Sequence, residues 1–140
     1  MAFLSDLSPC TYLPFDPGET ILSIGWLEKD AEFRRGPVPA EVFARLKELS
    51  REPWQPIAAC GFHECTLCQF EGARASANVF IPGEGVIYVC PELILHYIGS
   101  HWYLPPDEFC EAVRRCPDQH TMEYRRLLLH NGGRRLLQGL

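Results

Sequence analysis

Apolar positions along the chain fall into short runs, each closed by proline, glycine or a charged stretch. Ile21, Leu22, Ile24, Trp26 and Leu27 crowd residues 20–27 with β-branched and aromatic side chains, which predicts a strand. Val42, Phe43, Leu46 and Leu49 then recur at helical spacing after Pro39. Proline suits a first helical turn, where its missing N–H costs nothing, so a helix is expected over residues 39–50. Arg51-Glu52-Pro53-Trp54-Gln55-Pro56 breaks it. Residues 57–70 read as a strand, near 57–63, that enters a knuckle. The pattern next alternates over residues 77–81 and 85–90 around Pro82-Gly83-Glu84-Gly85, as a tight hairpin requires.

The second half reads as helical. Pro91 is expected to start a helix over 91–99, with Leu93, Ile94, Tyr97 and Ile98 as its stripe and Gly99-Ser100 as its stop. Phe109, Ala112, Val113 and Cys116 mark another over 106–116. Thr121 is a fair N-cap for a last helix through about His130, stopped by Asn131-Gly132-Gly133. The expected class is α+β: a small antiparallel sheet from residues near 20–27, 57–63, 77–81 and 85–90, helices packed on it, and a zinc-knuckle, hairpin and helix at the core. Residues 1–19, with Pro9, Pro14, Pro17 and Gly18, read as an irregular arm. Residues 20–116 form the expected domain, and 117–140 a basic C-terminal helix or tail.

Composition narrows the function classes. At 140 residues, 46% hydrophobic and 22% charged, the chain has room for a core of its own and is no disordered segment. The formal charge of −5 excludes a generic polyanion binder. That charge is uneven: residues 114–140 hold six arginines against Asp118 and Glu123, or +4, which leaves −9 for residues 1–113. Arg114, Arg115, Arg125, Arg126, Arg134 and Arg135 are thus the one region expected to attract a nucleic acid or an acidic protein. No apolar run approaches the ~20 residues that span a bilayer, and Met1-Ala2-Phe3-Leu4-Ser5-Asp6 lacks the basic start of a secretory signal. Seven cysteines cannot pair completely within one chain. The simplest expectation is a reduced, cytoplasmic protein whose clustered cysteines bind metal.

The chemistry concentrates in Cys60-Gly61-Phe62-His63-Glu64-Cys65-Thr66-Leu67-Cys68. Cys65 and Cys68 form a C-x2-C pair, whose spacing lets two thiolates converge on one ion from a tight turn. A thioredoxin-like reading would need that pair at a helix N-terminus, and here a hairpin follows instead. His96 and His101 supply an H-x4-H pair. In a continuous helix five residues turn about 500°, leaving the two side chains roughly 140° apart. A break at Gly99-Ser100 is therefore expected to let His101 fold back. The favoured metal ligands are Cys65, Cys68, His96 and His101, with His63 in reserve and Cys60 and Cys90 behind it. Two thiolates and two neutral imidazoles balance a structural Zn²⁺ without net charge, and four protein ligands leave no open position. Cys110 and Cys116 sit six apart on one expected helix and read as packing residues; Cys10 has no evident partner. Phe62, Phe70, Tyr88, Tyr97, Trp102 and Tyr103 cluster near the site, either as core or as a platform for stacking bases, with Arg74 alone interleaved.

The blocks Ile24-Gly25-Trp26-Leu27, Gly61-Phe62-His63-Glu64-Cys65-Thr66-Leu67-Cys68, Tyr88-Val89-Cys90-Pro91-Glu92-Leu93-Ile94-Leu95-His96-Tyr97 and His101-Trp102-Tyr103-Leu104-Pro105-Pro106-Asp107-Glu108-Phe109 resemble those of a group of small uncharacterised bacterial proteins. The resemblance covers about residues 20–113 and implies a shared fold and site, with no activity to carry over. That group has Ala-Pro where Cys90-Pro91 stands, which implies that Cys90 is no ligand. The functional expectation is a non-enzymatic, zinc-stabilised module that binds a protein or nucleic acid. The alternative is a zinc hydrolase or nuclease with an open zinc position and Glu64 or Glu92 as base. Neither H-E-x-x-H nor the H-x-E…P-C-x-x-C deaminase pattern is present.

Overall fold

A computed structural model describes residues 3–56 and 62–138. Its main sheet has three strands in the order β1 (Ile21–Ser23), β5 (Ile87–Pro91), β4 (Asn78–Pro82). The expected hairpin forms: β4 and β5 pair antiparallel from Asn78↔Pro91 to Pro82↔Ile87. The first strand departs from the expected pattern, because β1 joins β5 parallel, in register Ile21↔Ile87 to Ser23↔Val89. That pairing needs a long crossover, and the whole stretch from α1 (Ala40–Leu49) to β4 supplies it. Central β5 is buried along its length, as is β4, which explains their apolar sequences.

Strand β1 is shorter than the sequence predicts. Gly25 adopts φ +75°, which turns the chain out of the ladder, and a side chain there would meet Ile94 at 3.0 Å. The Asp6 carboxylate accepts from the Gly25 N–H at 2.9 Å and holds the turn. Trp26 is buried and its indole N–H donates to the Val89 carbonyl at 2.9 Å. The N-terminal arm runs along the outer edge of β1. Cys10 N–H donates to the Ile21 carbonyl and Ser23 N–H to the Ser8 carbonyl, with bridges at Leu4↔Trp26 and Pro9↔Leu22.

A second, two-stranded sheet pairs β2 (His63–Glu64) antiparallel with β3 (Arg74–Ala75). The residues expected as a strand near 57–63 lie outside the described residues except for 62 and 63. Helices α1, α2 (Ile94–His101), α3 (Asp107–Arg115) and α4 (Met122–His130) bury one stripe each, and α5 (Arg134–Leu137) adds a short turn that the sequence reading did not include. Thr121 caps α4 as expected, its hydroxyl accepting from the Tyr124 N–H. Pro91 proves to be the last residue of β5 rather than the first of α2: Glu92 N–H still pairs with the Ala77 carbonyl, and sheet pairing outweighs proline's preference for a helix start. The C-terminal residues share the core. Tyr124, Leu128 and Leu136 are buried, and the Tyr124 hydroxyl donates to the Phe80 carbonyl. Among the described residues, no helix is long and apolar enough to cross a membrane.

Candidate metal centre

Two elements bring four donors together. The first is the knuckle between β2 and β3. Cys65 N–H donates to the Ala73 carbonyl at 2.9 Å, closing the loop, and Gly72 lies so close that any Cβ would collide with the Cys65 carbonyl oxygen. The Thr66 hydroxyl accepts from Lys29 N–H at 2.8 Å, tying the knuckle tip to the segment after β1. The second element is α2, which carries His96 and ends on His101.

The helix does not break at Gly99-Ser100, contrary to expectation; it continues to His101. It then stops in a Schellman-type turn. Trp102 is left-handed at φ 57°, and the N–H groups of both Trp102 and Tyr103 donate to the Tyr97 carbonyl. The imidazoles nevertheless converge, with His101 at the last helical position. Their centroids lie 5.0 Å apart at 76°.

The donor atoms define a compact polyhedron. Cys65 Sγ and Cys68 Sγ are 3.7 Å apart. His96 Nε2 and His101 Nε2 are 3.2 Å apart. Mixed edges run 3.4 Å from Cys65 Sγ to His101 Nε2, and 3.2 Å and 3.4 Å from Cys68 Sγ to His96 and His101 Nε2. Ordinary zinc bond lengths on tetrahedral corners give edges of about 3.8 Å for two sulfurs, about 3.3 Å for two nitrogens and about 3.6 Å for the mixed case. Every recorded edge falls within about 0.4 Å of those values. All four atoms lie within 4.8 Å of one another, and this group can hold a metal ion.

The electrostatics suit a cation. Burial pushes the Cys65 thiol up, and neighbouring Cys68 adds to the effect, since two thiolates side by side repel. A divalent ion between them reverses that preference. Burial lowers the His101 pKa, as do the charges of His96 and Arg35, so the ring is held neutral, the form that binds metal. The Tyr97 hydroxyl is buried without a hydrogen-bond partner among the described residues. Burial and then the charges of Cys65 and Cys68 hold its proton above the ordinary range. A buried O–H beside two sulfurs fits a site whose sulfurs carry negative charge.

The other residues singled out from sequence lie elsewhere. His63 is buried against the rings of Tyr12 and Trp26, at 5.2 Å and 5.3 Å between centroids, outside the four-donor group. Burial lowers its pKa, and its Nε2 makes no hydrogen bond among the described residues. Cys90 is fully buried in β5, and Cys110 and Cys116 are buried on and just after α3. Cys60 lies outside the described residues. The aromatic group divides: Tyr88, Tyr97 and Tyr103 are core, whereas Phe62, Phe70 and Trp102 are 72%, 82% and 61% exposed. Gly72 was not singled out; its place four residues after Cys68, where the knuckle must return, was the available signal.

No curated protein and no solved structure matches the chain. A family model described as a domain of unknown function, DUF7919, matches residues 2–114, a span that holds all four donors and ends at the close of α3. On that match, which covers most of the 140 residues, the chain belongs to the DUF7919 family.

Proposed function

We propose that Cys65, Cys68, His96 and His101 hold a structural Zn²⁺ and that the domain is a non-enzymatic binding module for a protein or nucleic acid. The observation that carries the reading is the set of five donor–donor distances, 3.2–3.7 Å, matching a tetrahedral S₂N₂ ion site. The ion would tie the knuckle, which already packs Cys65 and Leu67 on the core, to α2. Four protein donors on four corners leave no position for a hydrolytic water, and Glu64, one candidate base, is exposed on β2.

Two features support the binding role. Phe62 and Phe70 flank the knuckle and Trp102 follows His101, so three exposed rings lie next in sequence to the ligands, with the Arg74 guanidinium 5.9 Å above the Phe62 ring. Exposed rings beside a guanidinium suit stacking on bases or on a partner's apolar groups. The arginines of α4 and α5 provide a second, electrostatic contact. Arg114 and Arg115, by contrast, are held by Glu41, Glu111 and Glu84.

The test is zinc content by elemental analysis, on the parent and on His63→Ala, His96→Ala and His101→Ala. One zinc per chain is expected, retained in His63→Ala and lost in the other two. Loss in His63→Ala with retention in His101→Ala would replace the fourth ligand. A metal-free parent, after purification and dialysis against zinc, would overturn the reading.

A further inference from the structure

We propose that the surface around the metal centre binds single-stranded nucleic acid, with bases stacked on its exposed rings and phosphates held by arginines that rest on aromatic faces. This names the partner class of the binding role proposed above and rests on that role.

The arginines are the first indication. With 18 acidic residues against 13 basic, the chain has carboxylates to spare. Arg34, Arg45, Arg114 and Arg115 take them in ion pairs. Arg35, Arg74 and Arg135 are exposed and make no ion pair among the described residues. Each instead lies over a ring: Arg35 at 4.3 Å from the Phe33 centroid, Arg74 at 5.9 Å from Phe62 and Arg135 at 5.2 Å from Phe15. Glu64 stands opposite Arg74 in the β2–β3 register, yet the guanidinium goes to the ring. A ring face orients a guanidinium and leaves its N–H fork unused. That fork matches the oxygens of a phosphate.

Two of these pairs adjoin the metal centre. Phe62 and Arg74 border the knuckle that carries Cys65 and Cys68. Arg35 bridges to Tyr103, and Gly36 N–H donates to the Trp102 carbonyl at 3.0 Å, so the Arg35 pair lies beside the end of α2 and His101. The four donors within 4.8 Å of one another draw both pairs to one place. The N-terminal arm leads to the third: Tyr12 packs on His63 at 5.2 Å, and Phe15, three residues on, carries Arg135. Three residues span at most about 10 Å.

The rings identify the ligand. Phe62, Phe70 and Trp102 are each mostly exposed and stand within three residues of a metal donor. A single strand repeats an anion and an open π-face in every nucleotide, so one ligand answers both the arginines and the rings. In a duplex, stacking covers the base faces. An acidic peptide would answer the arginines alone. A membrane-binding surface separates apolar from basic side chains, whereas here each guanidinium covers a ring.

The experiment is fluorescence anisotropy of labelled single-stranded DNA and, separately, RNA of about 12 nucleotides, within the range of about 4–16 that one such surface covers. The full-length, zinc-loaded protein is titrated against each, against duplex DNA of the same length, and against phosphatidylserine–phosphatidylcholine vesicles by sedimentation. Saturable binding of a single strand is expected, at least tenfold tighter than duplex. Its log–log salt slope should be about −2, from three phosphates at about 0.7 each. Phe70→Ala should weaken binding about tenfold with the slope unchanged. Arg74→Gln should weaken it several-fold and flatten the slope by about 0.7. Arg51→Gln removes the same charge from an exposed arginine that lies over no ring, and should bind like the parent. Circular dichroism and zinc content of every sample confirm folding and metal loading. Binding of neither strand overturns the proposal, as do equal binding of duplex or vesicles, parent-like Phe70→Ala, and equal weakening by Arg51→Gln. A zinc-loaded parent that binds neither strand leaves the metal reading standing; a zinc-free parent that binds as expected does the reverse.

Discussion

Replacing Gly72 by alanine should weaken zinc binding without touching a ligand. A Cβ at residue 72 would overlap the Cys65 carbonyl oxygen and stand 3.1 Å from both its carbonyl carbon and its Cβ. Backbone cannot yield as a long side chain can, so the knuckle must open by roughly 1 Å to restore van der Waals spacing. The movement falls on Cys65, whose Sγ holds the 3.7 Å and 3.4 Å edges of the donor set. A displacement of that size is several times the ±0.2 Å within which zinc bond lengths hold. Changes just outside the ligands typically cost about 10–100-fold in metal affinity. That is about 1.4–2.7 kcal/mol, since each tenfold step is about 1.4 kcal/mol. The assay is competition for zinc against a chromogenic chelator, run beside thermal melts with and without excess chelator. Gly72→Ala should melt lower than the parent when metal is present, and the gap should close when it is removed. Parent-like zinc affinity in Gly72→Ala, or a gap that persists in full under chelator, would refute the coupling between the knuckle backbone and the ion.

Other outcomes follow from single contacts. Burial raises the Asp6 carboxyl above its ordinary 3.8 despite the Gly25 N–H, the Tyr103 hydroxyl and the Arg34 charge. The folded protein therefore keeps that proton to higher pH than the unfolded chain does, and the stability it contributes is full below 3.8 and lost as pH rises through the folded value. Melting temperatures of Asp6→Asn against the parent should shift in the variant's favour between pH 4 and pH 7; a shift the other way contradicts the sign. Trp102→Gly should keep zinc and melt within a few degrees of the parent, because glycine relieves a left-handed residue at about the entropic cost it brings, while partner binding through the exposed ring is lost. Tyr124→Phe should cost about 1–3 kcal/mol in denaturant unfolding, because the Phe80 carbonyl loses a buried donor.

Local chemistry made much of the fold legible. The Pro82-Gly83-Glu84-Gly85 turn, the Thr121 cap and the helical spacing of Val42, Leu46 and Leu49 each act within a few residues, and each predicted element stands where those signals put it. The parallel pairing of β1 with β5 carries no such signal, because it joins Ile21 to Ile87, partners separated by nearly half the chain. Pro91 misled for a related reason: its local preference for a helix start competes with the ladder from β4, and the ladder is decided by residues far from it. At the candidate site the donor types and spacings were readable, since C-x2-C and H-x4-H encode reach. How His101 gets there was not. The rotation of a continuous helix argues for a break between His96 and His101, yet α2 runs unbroken through His101 and the two rings still meet.

The arm ahead of β1 closes one border of the main sheet. A three-stranded sheet has two borders, and an open border can recruit an extended segment from another chain. Along β1, the backbone groups of Ile21 and Ser23 that would form that border are already engaged by Cys10 and Ser8. The serine pair reinforces the seal, with the Ser23 hydroxyl donating to the Ser5 and Ser8 carbonyls at 3.0 Å each. The irregular, proline-bearing arm is thus a stopper: Pro9 sits within it and cannot itself extend a ladder outward. Trimming the chain to begin at residue 20 would leave the metal donors intact and uncover a sticky strand. Self-association, rather than metal loss, is the failure to expect from such a truncation.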